Sequence, residues 1–321
     1  MSGASAVSTT RIVIAFALLY VIWGSTYLAI GIAVTTIPPL TMAAVRFLVS
    51  GLILHLYCRL RGEPPLTPAQ WGAAALLGLL LLLLGNGLVC VAERTIPSGI
   101  AALVICMTPL WMTLLSWLTG QSAAPRSWAW LGILCGIGGV AGLMLSRGHQ
   151  AAALDYRGLG CLLLASLAWS VGSVCSRLLP APASPLLASA GQMWCGGILL
   201  LIAAVALGET DSWHHLPSHV GPAAAWALLY LTVVGSLLGY GSYVFLLRHV
   251  PSGLVSTYAF VNPVIAVLLG WLVNQEVITA RMLIAGGVIV LGVVLMVLAG
   301  NRPVAVQRRS GSQSQLRRPT R

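Results

Sequence analysis

The chain has 321 residues, of which 58% are hydrophobic and only 7% are charged, and its mean hydropathy is +0.94. This composition excludes a soluble globular protein and predicts a protein embedded in a membrane. The formal net charge of +11 would suggest nucleic-acid binding in a soluble chain, but here arginines alternate between the loops of a membrane protein and indicate its orientation.

Ten apolar spans follow one another along the chain, and a helix needs about 20 apolar residues to cross a bilayer. Because the membrane interior supplies no water to backbone polar groups, we predict that these spans are helices. The first span is longer than the apolar part of a signal peptide, so we interpret it as a retained helix. Spans 1 to 10 cover residues 12–33, 40–57, 71–91, 97–118, 128–146, 158–176, 186–207, 223–246, 252–273 and 282–299.

The second half of the chain repeats the first half. PSGLVSTYAFVNPVIAVLLGW at 251–271 lies over PSGIAALVICMTPLWMTLLSW at 97–117 with an offset of 154 residues, and an offset of 146 places Trp169 on Trp23. Since five spans are an odd number, the second half crosses the membrane in the opposite sense. The predicted fold class is therefore an all-α membrane protein with ten transmembrane helices in two inverted five-helix repeats, a plan that recurs in secondary transporters.

The arginines predict the orientation of these spans. With the N-terminus in the cytoplasm and the arginine inside span 2 set aside, twelve arginines lie on the inner side and four on the outer side. This bias predicts that both termini are cytoplasmic. The chain then divides into an N-terminal tail at 1–11, repeat 1 at 12–146, a periplasmic linker at 147–157, repeat 2 at 158–299 and a basic cytoplasmic tail at 300–321.

Four segments carry a resemblance to a known family. They are IWGSTYLAI at 22–30, PPLTMAAVRF at 38–47, GNGLVCVAERTIPSGIAA at 85–102 and STYAFVNPVIAVLLGW at 256–271, the last followed by Glu276. The chain resembles the EamA-type permeases of the drug/metabolite transporter superfamily over both halves, and most closely a bacterial inner-membrane branch whose substrate is not settled. The resemblance implies ten helices, a central cavity lined mainly by helices 1, 3, 4, 6, 8 and 9, and export of small metabolites such as amino acids. Glu276 has Ser122 as its repeat partner, so any role of this acid belongs to one half.

Polar and aromatic residues near the middle of the spans are candidates for a substrate cavity. Thr108-Pro109 in span 4 matches Asn262-Pro263 in span 9, and a proline inside a helix leaves a backbone carbonyl without its donor. We interpret Pro109 and Pro263 as gates; the alternative is that they only bend packed helices. The candidate substrate-binding residues are Trp23, Thr26, Asn86, Thr108, Trp169, Tyr240, Tyr258 and Asn262.

Arg46 lies inside span 2, roughly 10 Å beyond Pro39 at 1.5 Å per residue. An arginine at the bilayer centre costs about 2.5–3.5 kcal/mol on insertion scales, so a partner or a water-filled cavity is expected. Two interpretations remain open. Arg46 and Glu93 either form an ion pair that clamps spans 2 and 3, or Arg46 binds a substrate carboxylate with its planar fork.

The other ionisable residues predict neither a metal site nor catalysis. His214, His215 and His219 belong to a short polar loop that we expect to be solvated. The seven cysteines are odd in number and form no C-x-x-C motif, which favours neither disulfides nor metal binding. We expect no cofactor, no enzymatic activity and no nucleic-acid partner; the expected partners are a small-molecule substrate and the lipid bilayer. A monomer is the expected state, with a homodimer left open.

These observations predict a secondary transporter, an exporter of small organic metabolites such as amino acids or drugs, that works by alternating access between the repeats. The alternative is a non-transporting sensor or assembly factor, although no loop between the spans exceeds about 15 residues and could hold an output domain. All six acidic residues lie at predicted helix ends or in loops. Because proton-coupled carriers usually hold a carboxylate within the membrane, this placement favours a facilitator or an exchanger with a different coupling.

Overall fold

The computed structural model describes residues 8–121, 124–125, 127–145, 155–250, 255 and 257–299. Within these residues every regular element is a helix, which confirms the all-α membrane fold. The predicted C-terminal tail and most of the predicted linker lie outside them. The helices are α1 (Thr9–Ala33), α2 (Pro39–Leu60), α3 (Pro68–Leu77, Gly78–Gly87 and Leu88–Ala92), α4 (Ser98–Ile105 and Thr108–Leu118), α5 (Ser127–Leu145), α6 (Tyr156–Cys175), α7 (Pro185–Ala206), α8 (Pro222–Tyr230, Leu231–Leu238 and Gly239–His249), α9 (Tyr258–Asn274) and α10 (Ala280–Ala299).

Seven of the described helices are long and apolar enough to cross a membrane: α1 to α4 and α6 to α8. The other three, α5, α9 and α10, present shorter apolar stretches of 10–17 residues within the described part of the chain. The helices follow the order of the predicted spans, and α1 begins at Thr9, inside the segment predicted as a tail. The multi-pass character is confirmed, whereas the count of ten spans stays a prediction.

The first helix of each repeat packs within the other repeat. Helix α1 packs against α8 and α9, and α6 packs against α3 and α4. The two largest contacts join α2 to α7 and α5 to α10, and each is a pair of equivalent helices from the two halves. The two repeats are therefore interlocked, and residues on α1 or α6 meet residues of the opposite half.

Two helices contain a π-helical segment at matching repeat positions. These segments are Gly78–Gly87 in α3 and Leu231–Leu238 in α8. A π-helical turn is wider than an α-helical one and is frequent at functional sites. In α3 the segment begins at a close helix contact, since a Cβ on Gly78 would lie 2.6 Å from the backbone nitrogen of Gly196 on α7. Only glycine allows the two backbones to approach this closely, and such glycine contacts are common between membrane helices.

Two loop carboxylates from the second repeat cap helices of the first repeat. Glu209, in the 3-10 helix that follows α7, accepts hydrogen bonds from Leu40 N (3.0 Å), Thr41 N (2.7 Å) and the Thr41 hydroxyl (2.7 Å) at the start of α2. Glu276, which follows α9, accepts from Ser98 N (3.0 Å), the Ser98 hydroxyl (2.7 Å) and Gly99 N (3.2 Å) at the start of α4. A helix N-terminus has unpaired N–H groups and a partial positive charge, so a carboxylate stabilises it.

A third carboxylate caps α6 at the same end of the bundle, which we call the Glu276 end. Asp155 accepts hydrogen bonds from the Thr95 hydroxyl (2.9 Å) and from Arg157 N (2.9 Å). The Thr95 hydroxyl, and after it the Arg157 N–H, hold the pKa of this exposed carboxyl below its ordinary value. Within the described residues, no group of three or more His, Cys, Asp or Glu side chains forms a potential metal site.

Candidate functional site

Four aromatic side chains from both repeats meet where α1 packs against α8 and α9. The Trp23 ring lies 5.0 Å from the Tyr258 ring in an edge-on arrangement and 5.2 Å from the Tyr243 ring, centroid to centroid. Tyr240 completes this aromatic cluster at 5.8 Å from Tyr243. All four side chains are half-buried, so part of each side chain remains accessible.

Asn262 stands one turn beyond Tyr258 on α9 and is 7% exposed. Its Oδ1 atom is buried and has no hydrogen-bond partner in the described structure. Helix α1 runs close beside it, since a Cβ on Gly24 would lie 3.3 Å from the Asn262 carbonyl oxygen. A buried acceptor without a donor costs about 1–3 kcal/mol, so such an atom is expected to meet a ligand or water.

The structure corrects the predicted clamp between Arg46 and Glu93. Arg46 is 5% exposed, and its Nε donates to the Ser236 hydroxyl of α8 at 2.9 Å, while Nη1 is buried without a partner in the described structure. Neither carboxylate oxygen of Glu93 accepts a hydrogen bond within the same residues. Within the described residues Arg46 and Glu93 form no ion pair; the π-helical segment of α8 instead brings the Ser236 hydroxyl to Arg46, a contact that the depth of residues along their spans does not predict.

Thr26 links the aromatic cluster to the neighbourhood of Arg46. Its hydroxyl donates to the Trp23 carbonyl at 2.7 Å, so it is occupied within its own helix. A Cβ atom placed on Gly235 of α8 would lie 3.3 Å from the Thr26 methyl group and 3.4 Å from Arg46 Nη2. The missing side chain of Gly235 thus leaves space for both side chains. Five predicted residues lie along this one helix contact, with Arg46 at its edge: Trp23, Thr26, Tyr240, Tyr258 and Asn262.

The other predicted binding residues gather around α6, at the equivalent contact of the opposite repeat. Trp169 packs against Gly85 of α3, since a Cβ placed on Gly85 would lie 3.0 Å from Trp169 Cε3. The Ser170 hydroxyl donates to the Thr108 carbonyl of α4 at 3.1 Å. Asn86 is half-buried, and its Oδ1 accepts from the Cys90 thiol at 3.6 Å. The predicted residues therefore form two groups, which the repeat relates to each other.

The two matched prolines have different effects on their helices. Helix α4 is interrupted between Ile105 and Thr108, and Pro109 is the second residue of its second segment, whereas α9 continues through Pro263. The Thr108 hydroxyl donates to the Ile105 carbonyl at 2.6 Å, which is the carbonyl that Pro109 leaves without a backbone donor. The interruption in α4 and the intact α9 leave the gating role of both prolines a prediction.

Pro263 leaves the Ala259 carbonyl without a backbone donor in the same way. The Cys106 thiol donates to this oxygen at 3.1 Å. Cys106 belongs to the interruption in α4, so the two proline sites meet across the contact between α4 and α9. The sequence indicated neither a disulfide nor a metal-binding role for the cysteines, and in the structure the Cys106 thiol acts as a hydrogen-bond donor.

Sequence reasoning missed Tyr243, Ser236, Glu209 and Glu276 as contact residues. Tyr243 lies one turn after Tyr240, a spacing that could have placed both on one helix face. Ser236 and the capping acids had no such signal, because their partners are about 170–190 residues away in the chain.

Known proteins resemble this chain over most of its length. The EamA-like transporter family matches residues 10–145 and again residues 156–298. An uncharacterized inner membrane transporter of Escherichia coli K12, YedA, is 41% identical over 283 residues, which cover 87% of this chain and 88% of that protein. Protein PecM of Dickeya dadantii is 28% identical over 266 residues, covering 82% and 84% of the two chains.

A solved crystal structure shares the fold, with a TM-score of 0.61 at 20% identity over 91% of this chain and 98% of that one. At this identity the likeness concerns the fold alone. The family match occurs once in each predicted repeat, which agrees with the duplication. The family and the names of the relatives point to a transporter rather than an enzyme, and the chain belongs to the EamA-like transporter family of membrane proteins.

Proposed function

We propose that this protein is a secondary transporter that exports small organic metabolites, such as amino acids or drugs, by alternating access between its inverted repeats. The observation that carries the proposal is the aromatic cluster. Trp23 comes from the first repeat and Tyr240, Tyr243 and Tyr258 come from the second. A solute held between them would bind both halves, so relative motion of the halves would change the side from which it is reached.

The chemistry of the cluster suits a small organic solute. Aromatic faces with a few polar atoms are typical of small-molecule sites. The unpaired Asn262 Oδ1 offers an acceptor for an ammonium or hydroxyl group, and the unpaired Nη1 of Arg46 offers a donor for a carboxylate. A metabolite with both kinds of group and an apolar side chain would match this set.

Different contacts close the two ends of the bundle. At the Glu276 end, the carboxylates of Glu209 and Glu276 tie loops of the second repeat to helices of the first. At the opposite end, the Tyr20 hydroxyl bonds to the Thr257 hydroxyl, and an apolar cluster packs around Leu19. Alternating access would break one set of contacts while keeping the other.

We further propose a bacterial inner-membrane location with both termini cytoplasmic, supported by the arginine distribution.

The test is an efflux and resistance screen on an overexpressing strain, followed by transport assays of two variants. Tyr258→Leu and Asn262→Ala should each lower transport about tenfold, which corresponds to roughly 1.4 kcal/mol of lost binding. Folded yield should stay near that of the parent protein. Trp271→Leu and Asn274→Ala are matched controls, because both residues are exposed on the same helix.

Parental transport rates in both site variants would show that the cavity lies elsewhere. A screen in which overexpression changes the efflux of no metabolite would contradict the transport function itself. The non-transporting sensor or assembly factor would then be the better explanation.

A further inference from the structure

We propose that Glu93 is a proton-binding site that couples transport to the transmembrane proton gradient. This inference rests on the proposed transport function. It also revises the expectation drawn from the sequence, in which the placement of the acids at helix ends and in loops favoured a facilitator or an exchanger with a different coupling. Glu93 follows the last residue of α3, yet the fold encloses it.

The surroundings of Glu93 differ from those of the two capping carboxylates. Glu209 and Glu276 accept three hydrogen bonds each. Glu93 is 7% exposed, and both of its oxygens are buried without a donor in the described structure. Its Oε2 lies 3.5 Å from the position that a Cβ on Gly31 would occupy, so α1 covers the carboxyl. The backbone N–H of Gly31 favours the ionised form, but it does not meet hydrogen-bond geometry with either oxygen.

The charges near Glu93 do not replace the missing donors. Arg46 favours an ionised Glu93 through its charge, but its Nε is held by Ser236 and it forms no ion pair with Glu93 in the described structure. The carboxylate of Glu276 opposes a second negative charge. The ionisable groups around Glu93 and its neighbour Tyr27 are Tyr27 on α1, Arg46 on α2, Cys90 on α3, Cys106 on α4 and Glu276 after α9.

Burial without donors favours the neutral carboxyl. An ionised group removed from water and left without hydrogen bonds costs several kcal/mol, so a carboxyl in such a place takes up a proton. In this closed arrangement Glu93 carries that proton on one of its oxygens. When the halves rearrange so that the cavity opens to the cytoplasm, water from that side reaches the carboxyl, the O–H bond breaks and the proton passes to cytoplasmic water.

When α1 moves away from α3 at the Glu276 end, which the arginine distribution places outside, the carboxylate takes up a proton from outer water before the next closure. Each cycle moves one proton inward for one solute exported, and Glu93 is again protonated and neutral at the end of the cycle. A carboxyl that titrates only when the halves separate connects proton release to the same motion that exposes the solute.

The first experiment reads the proton directly. Infrared spectra of the full-length protein in lipid vesicles at pH 7 should contain the C=O stretching band of a protonated carboxyl. Glu93→Gln should lack this band, while Glu276→Gln and the exposed-loop variant Asp211→Asn should keep it. A parent protein without the band, or a Glu93→Gln protein that retains it, overturns the inference.

The second experiment measures coupling in proteoliposomes loaded with a radiolabelled amino-acid mixture. An imposed pH gradient should accelerate transport by the parent at least about fivefold, the lower end of ordinary coupling between two sites. Glu93→Gln should keep exchange of labelled for unlabelled amino acids but lose the acceleration, and Glu93→Asp should keep both. Gel filtration before reconstitution checks that each variant is folded.

The two proposals fail in different ways. If Glu93→Gln responds to the pH gradient as the parent does, or if only a sodium gradient drives transport, the proton site is wrong while the transport function stands. If the parent moves no amino acid, the proposed substrate class is wrong, and the infrared spectra still decide whether Glu93 holds a proton.

Discussion

Arg46 joins α2 to the π-helical segment of α8 through one hydroxyl. Its Nε donates to Ser236 Oγ, which in turn donates to the Leu231 carbonyl five residues earlier at 3.0 Å. The guanidinium carbon also lies 4.8 Å from the centre of the Phe47 ring. One end of the guanidinium is therefore structural, while Nη1 remains available to a ligand.

We expect this contact to appear in a double-mutant cycle. Arg46→Lys removes the Nε–H donor while keeping a positive charge, and Ser236→Ala removes the acceptor. Each change should lower the unfolding free energy by about 1.5–3 kcal/mol, the range for hydrogen bonds to charged groups. Because both break the same bond, the double variant should be little worse than either single one. Chemical unfolding in detergent, followed by circular dichroism, measures this.

Arg11→Lys serves as the control, because Arg11 is exposed and its replacement should change the unfolding free energy by less than about 0.5 kcal/mol. Fully additive effects of Arg46→Lys and Ser236→Ala would show that the two side chains act independently.

At the scale of single helices, the N-termini of α2 and α4 depend on carboxylates that are distant in the chain. The start of α4 begins with Ser98 directly after Pro97, and no side chain of its N-cap residue bonds to the helix. Glu276 supplies that function from the loop after α9, where Gln275 adopts a left-handed conformation with φ 52°. The cap thus couples the end of one helix to the beginning of another.

Glu276→Ala should destabilise the protein by about 1–3 kcal/mol, because it leaves the first N–H groups of α4 without their acceptor. Asp211→Ala, in an exposed part of the α7–α8 loop, should change the unfolding free energy by less than about 0.5 kcal/mol. Thermal unfolding of both variants in the same detergent compares them. Equal losses in the two variants would contradict the capping role.

At the scale of the whole molecule, the interlocking of the repeats connects the site to the orientation of the chain. Helices α1 and α6 each pack in the opposite half, so correct insertion of both halves is needed to form the aromatic cluster. The arginine distribution predicts that the N-terminus and the C-terminus lie on the same, cytoplasmic side.

Alkaline phosphatase fusions test that orientation, because this reporter needs disulfides that form only outside the cytoplasm. A fusion after Arg147 should be active, and fusions after Thr119 or at Arg321 should be silent. Green fluorescent protein at the same three positions should show the inverse pattern and so checks expression. Phosphatase activity at Arg321 would contradict an even number of spans with both termini inside.

Local properties of the chain were enough to predict the membrane class, the duplication and most members of the aromatic cluster. Apolar length predicts membrane helices because every backbone group in lipid must be paired within its own segment. Trp23 and Tyr258 could be proposed because polar and aromatic residues at mid-span are uncommon and the repeat relates their helices. None of these inferences requires knowing which helices touch.

Only the tertiary structure decided which partner each polar group has. One of the two interpretations drawn from the sequence paired Arg46 with Glu93, whereas the fold pairs Arg46 with Ser236 and leaves Glu93 enclosed by α1. The structure also showed that α4 is interrupted next to Pro109, whereas α9 continues through the equivalent Pro263. The physical reason is that hydrophobic patterning depends on neighbouring residues, while hydrogen bonds over less than 3.5 Å depend on how helices far apart in the chain are packed.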